Sequence, residues 1–171
     1  MQKSSKPILK MGALMADEAK TFMVEDARII FRNFSGEPSQ YNREGDRNFV
    51  VLLDRDVAKE MADDGWNIKT LPAREEGDED QPMITVAVGY KNRPPIVTMI
   101  GSLSGIRTRM TEETVGVLDW ADFESVDLIA RGYDWEVNDK KGTKAYLQTM
   151  FVTIREDALQ QKYAIPEGDN V

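Results

Sequence analysis

Short runs of β-branched and aromatic residues, separated by turn-forming residues, dominate the pattern of apolar positions in this chain. Such runs predict strands over 22–34, 48–53, 66–71, 83–90 and 96–100. The run over 49–53 is continuous rather than alternating, which indicates a strand that is buried on both faces. Between the strands, loops are predicted over 35–46, 72–81 and 101–111.

Two short helices interrupt the strand pattern. The first is predicted over 55–63, capped by Asp54 and ended by Gly65. Its buried side is expected to carry Val57, Ala58 and Met61. The second is predicted over 112–123, with Val115, Leu118 and Trp120 as its apolar residues.

Two long strand patterns follow, over 126–137 and 143–154. The link 138–142 reads NDKKG, which is rich in turn formers, so an antiparallel hairpin is predicted. Alternation places three side chains on one face of the first strand and two on one face of the second; these are Arg131, Tyr133 and Trp135, and Lys144 and Tyr146. The pattern does not fix the register, so the two faces need not coincide.

Strands dominate and helices are short inserts, which predicts a mainly β (α+β) fold. We expect a small barrel of about five to seven strands with short helical inserts and a long C-terminal β-hairpin. A single domain is predicted over 21–155, with a flexible N-terminal arm over 1–20 and a short polar C-terminal tail over 156–171.

The composition bears on the kind of protein. The chain of 171 residues contains no cysteine, which excludes disulfides, thiolate metal sites and cysteine nucleophiles. It also contains no histidine, so a Ser-His-Asp hydrolase and a zinc deaminase are excluded. These absences favour a binding protein over an enzyme, and we expect neither a cofactor nor a metal. No apolar run reaches the roughly 18 residues of a membrane span, so no membrane partner is expected.

The acidic residues are unevenly distributed. The chain has 30 Asp and Glu and a net charge of −8, yet none of these acids lies between Gln81 and Thr111. That segment carries the four cations Lys91, Arg93, Arg107 and Arg109. The field near a surface depends mainly on nearby charges, so this segment could attract a polyanion. The alternative is that strands simply contain few acids.

Three groups of residues combine aromatic rings with cations, as surfaces for single-stranded nucleic acid do. A base stacked on an aromatic ring contributes about 1–3 kcal/mol, while cations meet the phosphates. The first group is Arg32, Phe34, Tyr41, Arg43 and Arg47. The second is Tyr90, Lys91, Arg93, Arg107 and Arg109. The third is the hairpin set, extended at its tip by Lys140 and Lys141.

Each group also has an ordinary structural explanation. Phe31 and Phe34 could belong to the core, as could Tyr133 and Trp135. The lysines could merely keep a strand edge soluble. A metal-dependent nuclease would need carboxylates converging from several strands, and nothing singles out Asp127, Asp134 and Glu136 for that role.

Four stretches resemble a group of phage-encoded single-stranded-DNA-binding proteins. They are ARIIFRNFSGEPSQYNREGDRNFVVLLD, MADDGWNIKTLPAREEGDEDQP, KNRPPIV and YDWEVNDKKGTKAYLQTMFVTI, and the resemblance covers roughly residues 22–160. It implies an oligonucleotide/oligosaccharide-binding (OB) fold, in which a sheet face and two loops form the groove. Here those loops would be 35–46 and the hairpin tip at 138–142.

The resemblance implies that the protein coats single-stranded DNA during phage replication and recombination, in the cytoplasm of the bacterial host. Replication or recombination proteins are further expected partners. Many such proteins end in a distinctly acidic tail that recruits partners, whereas this chain ends in the brief EGDNV. A protein–protein module, either a phage structural protein or a DNA-mimicking inhibitor of a host factor, is the alternative. Both a monomer and a dimer stay open.

Overall fold

The computed structural model of the protein describes residues 8–10, 20–157 and 159. Ten strands are present in these ranges: β1 (Ile8–Lys10), β2 (Thr21–Val24), β3 (Ile29–Asn33), β4 (Arg47–Leu52), β5 (Ile68–Leu71), β6 (Gln81–Val88), β7 (Ile96–Gly101), β8 (Arg107–Met110), β9 (Phe123–Val137) and β10 (Lys140–Ile154). One α-helix, α1 (Arg55–Asp63), and one 3₁₀ helix (Val115–Asp119) lie between them. The mainly β class is therefore confirmed.

The strands pair in the order β1–β2–β9–β10–β6–β4–β3, with β5 on β6 and the β7–β8 pair on β10. The pairs of β10 with β6 and with β7 are parallel, and the other pairs are antiparallel. There are more strands than the five to seven expected, because β1, β5, β7 and β8 flank a smaller set that forms the barrel.

One bent segment joins the two ends of the strand order β2–β9–β10–β6–β4–β3. β2 pairs with β9 and β3 pairs with β4, yet only residues 25–28 separate β2 from β3. Asp26 turns the chain between them with a φ of 51°, and the Ala27 N–H donates to the Val126 carbonyl at 2.7 Å. The single strand predicted over 22–34 is interrupted there, because its two parts, β2 and β3, pair with different strands. Counting β2 and β3 as one bent strand gives five barrel strands, as in an OB fold.

Apolar side chains fill the barrel and both helical inserts cover it. Phe22, Phe34, Phe49, Leu128 and Leu147 are among the fully buried residues. The residues predicted for the buried side of α1 are buried, although the side chain of Asp54 makes no capping hydrogen bond. Within the 3₁₀ helix, Val115 and Leu118 are fully buried.

The C-terminal hairpin is confirmed and is longer than predicted, with 15 residues in each strand. Its turn consists of Asn138 and Asp139, whose φ angles are 51° and 66°. Two consecutive residues in the left-handed region are typical of a type I′ turn, which suits the twist of paired strands. Lys140, Lys141 and Gly142 therefore belong to β10 and not to the link.

Two further predictions of secondary structure were wrong. Residues 107–110 form β8 rather than part of a loop, because β7 offers a free edge with which they pair. The helix predicted over 112–123 is only the short 3₁₀ helix. Trp120, predicted as one of its apolar residues, lies just beyond its end and is exposed.

Most of the predicted N-terminal arm lies outside the described residues, as does most of the predicted tail. Residues 8–10 pair with β2. The domain boundaries at residues 20 and 155 remain predictions. None of the helices in the described ranges has the length and apolar character that a membrane crossing requires.

Candidate nucleic-acid interface

The register of the hairpin brings the two predicted faces together. Arg131 lies opposite Tyr146, Tyr133 opposite Lys144, and Val137 opposite Lys140. Side chains of directly opposed residues point to the same side of a sheet. The alternate residues Ala130, Ala145 and Leu147 are buried in the barrel, so this set points outward. We call it the hairpin face: Arg131, Tyr133, Trp135, Lys140, Lys144 and Tyr146.

The aromatic rings of the hairpin face support one another. The Tyr133 and Tyr146 rings meet edge to face, with centroids 6.2 Å apart. Tyr133 is 61% exposed, whereas Tyr146 is half-buried and carries the Lys144 ammonium 5.1 Å from its ring centroid. Trp135 is half-buried beside Gly142, where a Cβ atom would come within 3.1 Å of the indole. The rings are thus available and held in place.

No acid belongs to the hairpin face. Asp134 and Glu136 alternate with its residues along β9, so they point to the opposite side of the hairpin. Lys141 lies opposite Glu136 and shares that side, which separates it from the other predicted hairpin cations. We therefore leave Lys141 out of the hairpin face, while Lys140 belongs to it.

Arg93 extends the positive charge of this surface. Burial lowers the pKa of Arg131, and the nearby charge of Arg93 lowers the pKa further, whereas Tyr146 raises it. Among the ion pairs of the described residues, none involves Arg93, Arg131, Lys140 or Lys144. Neighbouring cations without a carboxylate leave a positive potential that suits a phosphate group. Lys91 is exposed in the same turn as Arg93.

The loop over 35–46 lies over the same side of the sheet. Tyr146 is opposite Ala87, which is opposite Asn48, so these three side chains share the outer side. The Asn48 amide donates to the Asn42 side-chain oxygen at 3.0 Å. The Asn42 amide nitrogen in turn donates to the carbonyls of Glu37, Arg43 and Asp46. Asn42 thereby joins the loop to the row of residues that ends at the hairpin face.

The loop presents two of the predicted residues at its tip. Tyr41 is 89% exposed, although it is a large aromatic residue. The Arg43 side chain is almost fully exposed and its Nε lies 3.8 Å from an Asp46 carboxylate oxygen. An exposed pair at this separation contributes little to stability, so the guanidinium remains available to a ligand.

Arg107 and Arg109 are exposed but lie away from the hairpin face. Arg109 is opposite Thr98, which is opposite Phe151 on β10. Phe151 is five positions beyond Tyr146, or roughly 16 Å at about 3.3 Å per residue. The two arginines are on the outer side of the sheet, but the structure does not bring them together with the rings.

Two of the predicted binding residues, Phe34 and Arg32, are instead engaged in contacts within the protein. Phe34 is fully buried and stacks on Phe49 with centroids 5.2 Å apart, so no base can reach its ring. Arg32 donates to the carbonyls of Leu118 and Ala121, and its guanidinium lies 4.3 Å from the Phe123 ring centroid. Arg32 therefore ties β3 to the segment before β9. We leave both residues out of the binding surface.

Arg47 and Tyr90 form an inward-facing pair. The Arg47 side chain is only 19% exposed, lies 3.4 Å from a Glu112 carboxylate oxygen, and stands 5.5 Å from the Tyr90 ring centroid. Burial raises the pKa of Tyr90. The positive charge of Arg47 lowers this pKa, and the negative charges of Glu112 and Glu113 raise it. The Arg47 Nε and the Tyr90 hydroxyl are buried without a hydrogen-bond partner in the described structure. This arrangement gives neither side chain direct access to a ligand.

Two exposed rings lie outside the set of predicted binding residues. Trp120 is 88% exposed and Phe31 is 62% exposed. For Trp120 the neighbouring acids in LDWAD were a signal of a surface position.

Across the described residues, no group of three or more acidic side chains is arranged to hold a metal ion.

A small barrel whose outer face combines rings with unpaired cations, beside a loop with an exposed ring, has the features of a single-strand-binding protein of the OB type. A family model described as "Putative phage ssDNA-binding domain" matches residues 13–171. The chain therefore belongs to this family of phage single-stranded-DNA-binding domains. No curated protein sequence matches the chain.

The comparison with solved structures gives matches at low sequence identity. The C-terminally truncated single-stranded DNA-binding protein of bacteriophage Enc34 is 12% identical, with a TM-score of 0.49 over 92% of this chain and 98% of that chain. The same protein in complex with single-stranded DNA gives 12% identity and a TM-score of 0.45 over 98% of this chain and 100% of that chain. The single-stranded DNA-binding protein gp2.5 of bacteriophage T7 gives 10% identity and a TM-score of 0.39 over 90% of this chain and 98% of that chain.

Proposed function

We propose that this protein binds single-stranded DNA without sequence preference, and that the hairpin face is the centre of its binding surface. The observation that carries the proposal is the β9–β10 register, which places three rings and three cations on one outward side. Arg93 and the loop residues Tyr41 and Arg43 extend the surface across the barrel.

Binding on such a surface needs no chemical step. Bases stack on Tyr133, Trp135 and Tyr146, which accept any base because every base has a π-face. Phosphates meet Arg131, Lys144 and Arg93, whose charges lack carboxylate partners among the described residues. The protein would act stoichiometrically, with no bond made or broken.

The net charge of −8 is compatible with this function because no acidic residue belongs to the hairpin face. A dense group occupies residues 75–80, between β5 and β6. Exposed charges separated by more than the Debye length, about 8 Å at physiological salt, are largely screened from each other. A bound strand would therefore respond mainly to the cations of the hairpin face.

The family and this surface support a role in phage DNA replication and recombination, where exposed single strands need protection. That role would place the protein in the cytoplasm of the bacterial host. Contacts with replication or recombination proteins form a further part of the proposal.

The test is a titration of labelled oligo-dT at two salt concentrations. We expect saturable binding that weakens steeply with salt, because phosphate contacts release counterions. Four phosphate contacts would give a slope of log K against log salt of about −3. Oligo-dT binding that is absent at low salt, or that does not change with salt, would contradict the proposal.

A further inference from the structure

Trp120 is exposed in a way that the barrel does not require. Its side chain is 88% exposed, whereas Trp66 is buried and Trp135 is half-buried. A tryptophan that stands in water gains no apolar burial, so its contribution to folding is small. Such residues are enriched where a protein contacts a ligand or a partner.

The backbone that carries Trp120 is firmly held. The preceding 3₁₀ helix is fixed to the core by the fully buried Val115 and Leu118. The Trp120 N–H donates to the Val117 carbonyl at 3.2 Å, and the Ala121 carbonyl accepts from Arg32 at 2.7 Å. An exposed ring on an ordered backbone loses little conformational entropy when it binds.

The segment that carries Trp120 also packs on one end of the loop that belongs to the proposed DNA surface. The carboxylate of its neighbour Asp119 accepts hydrogen bonds from the Ser35 N–H at 3.1 Å and from the Ser35 hydroxyl at 2.6 Å. A Cβ atom at Gly116 would come within 3.2 Å of the Ser35 Cβ, so the helix packs directly on this residue. Ser35 begins the loop that carries Tyr41. The segment that carries Trp120 therefore lies beside the start of the loop that carries Tyr41.

A second exposed ring lies on the adjoining strand. Phe31 is 62% exposed and has a φ of 51°, an unusual conformation for an aromatic residue. It lies at a register shift between Ile30 and Asn33 in the β3–β4 pair. Such strain costs about 1–3 kcal/mol and is concentrated at functional sites. The next residue, Arg32, contacts the carbonyls on both sides of Trp120.

We propose that Trp120 is an additional base-stacking position, which a strand reaches after it has crossed the 35–46 loop from the hairpin face. This inference rests on the proposed function and extends it to a longer DNA path. Asp119 is occupied by its hydrogen bonds to Phe34 and Ser35, and Asp122 pairs with Arg155 at 3.5 Å. The nearby cations Arg32 and Arg155 are engaged within the protein, so stacking rather than phosphate contact would hold the strand.

The test compares oligo-dT of 4 and 16 nucleotides, which span the site sizes typical of one OB fold. In a Trp135→Phe background only Trp66 and Trp120 remain, and quenching by DNA reports on Trp120 because Trp66 is buried. We expect strong quenching with the longer strand and little with the shorter one. Trp120→Ala should weaken binding of the longer strand roughly 5- to 150-fold and leave the shorter one unchanged. Val117→Ala, which alters a neighbouring exposed side chain, should have no effect on either strand.

Equal binding of the longer strand by Trp120→Ala and by the parent protein would overturn the inference. That result, with a clear loss in Tyr133→Ala, would leave the proposed function intact and point to a protein partner for Trp120. A parent protein that binds neither strand would instead refute the proposed function, and the inference with it. Circular dichroism confirms that each variant is folded.

Discussion

Tyr133 on β9 and Tyr146 on β10 meet edge to face, with ring centroids 6.2 Å apart and planes at 83°. Such T-shaped pairs contribute about 0.5–1.5 kcal/mol beyond the area that they bury. Tyr146 is the more buried ring, and it also lies over Gly89, where a Cβ atom would be 3.8 Å away. Tyr146 therefore positions Tyr133, which is the ring that a base can reach.

Removal of the Tyr133 ring should weaken DNA binding more than it affects folding. Tyr133→Ala should lower the affinity for oligo-dT by about 1–3 kcal/mol, or roughly 5- to 150-fold, because one stacking platform is lost. The change is measured by fluorescence anisotropy at fixed salt. Tyr133→Phe keeps the ring and is the matched control, for which near-normal affinity is expected. Similar affinities for the alanine and parent proteins would show that bases do not stack there.

The cations of the hairpin face should determine the salt dependence. Arg131→Gln and Lys144→Gln should each make the slope of log K against log salt shallower by about 0.7, the change expected for one phosphate contact on a single strand. Lys59→Gln provides the control, since Lys59 lies on α1 and pairs with Asp63. An unchanged slope in both hairpin variants would place the phosphates elsewhere.

The sequence predicted the hairpin well because its signal is local. Alternation over two long strands and a turn-forming link require no knowledge of distant residues. The register was not predictable, since nothing in the link showed that Asn138 and Asp139 alone form the turn. Once the register is known, it follows that Arg131 and Tyr146 lie opposite each other on the same face of the hairpin.

The sequence failed where distant contacts decide the structure. Phe34 and Arg32 resemble ligand-binding residues in the sequence, but Phe49 and the carbonyl of Leu118 engage them. The predicted strand is interrupted at Asp26 because its two parts pair with different strands, β9 and β4. Trp120 was grouped with Val115 and Leu118 because apolar spacing alone cannot distinguish a core residue from an exposed ring.

A methyl group at Gly132 should destabilise the barrel beneath the hairpin face. A Cβ atom there would come within 2.7 Å of the Thr143 methyl and 3.0 Å of the Trp66 ring. Overpacking of this kind costs typically about 1–3 kcal/mol, so Gly132→Ala should lower the free energy of unfolding by that amount. Urea denaturation measures the change. Gly89→Ala is the control, because its Cβ would have an ordinary contact of 3.8 Å with Tyr146. Equal stability of both variants would show that Thr143 and Trp66 move enough to accommodate the added methyl group.

Glu156 should make the stability of the β7–β8 turn depend on acid pH. Hydrogen bonds from the backbone N–H groups of Ser104 and Leu103 lower the pKa of its carboxyl below the ordinary value of 4.5. Partial burial raises this pKa, and a hydrogen bond from the Ser104 hydroxyl lowers it further. Because the folded-state pKa is the lower one, the stabilisation is fully present above pH 4.5 and is lost as the pH falls through the folded-state value.

Glu156→Gln should therefore lower the thermal midpoint at pH 7 and reduce its decline between pH 5 and about 3, while Glu76→Gln in the acidic loop should change neither. The measurement is thermal unfolding followed by circular dichroism across this pH range. A Glu156→Gln profile parallel to that of the parent protein would show that the carboxylate does not hold the turn in solution.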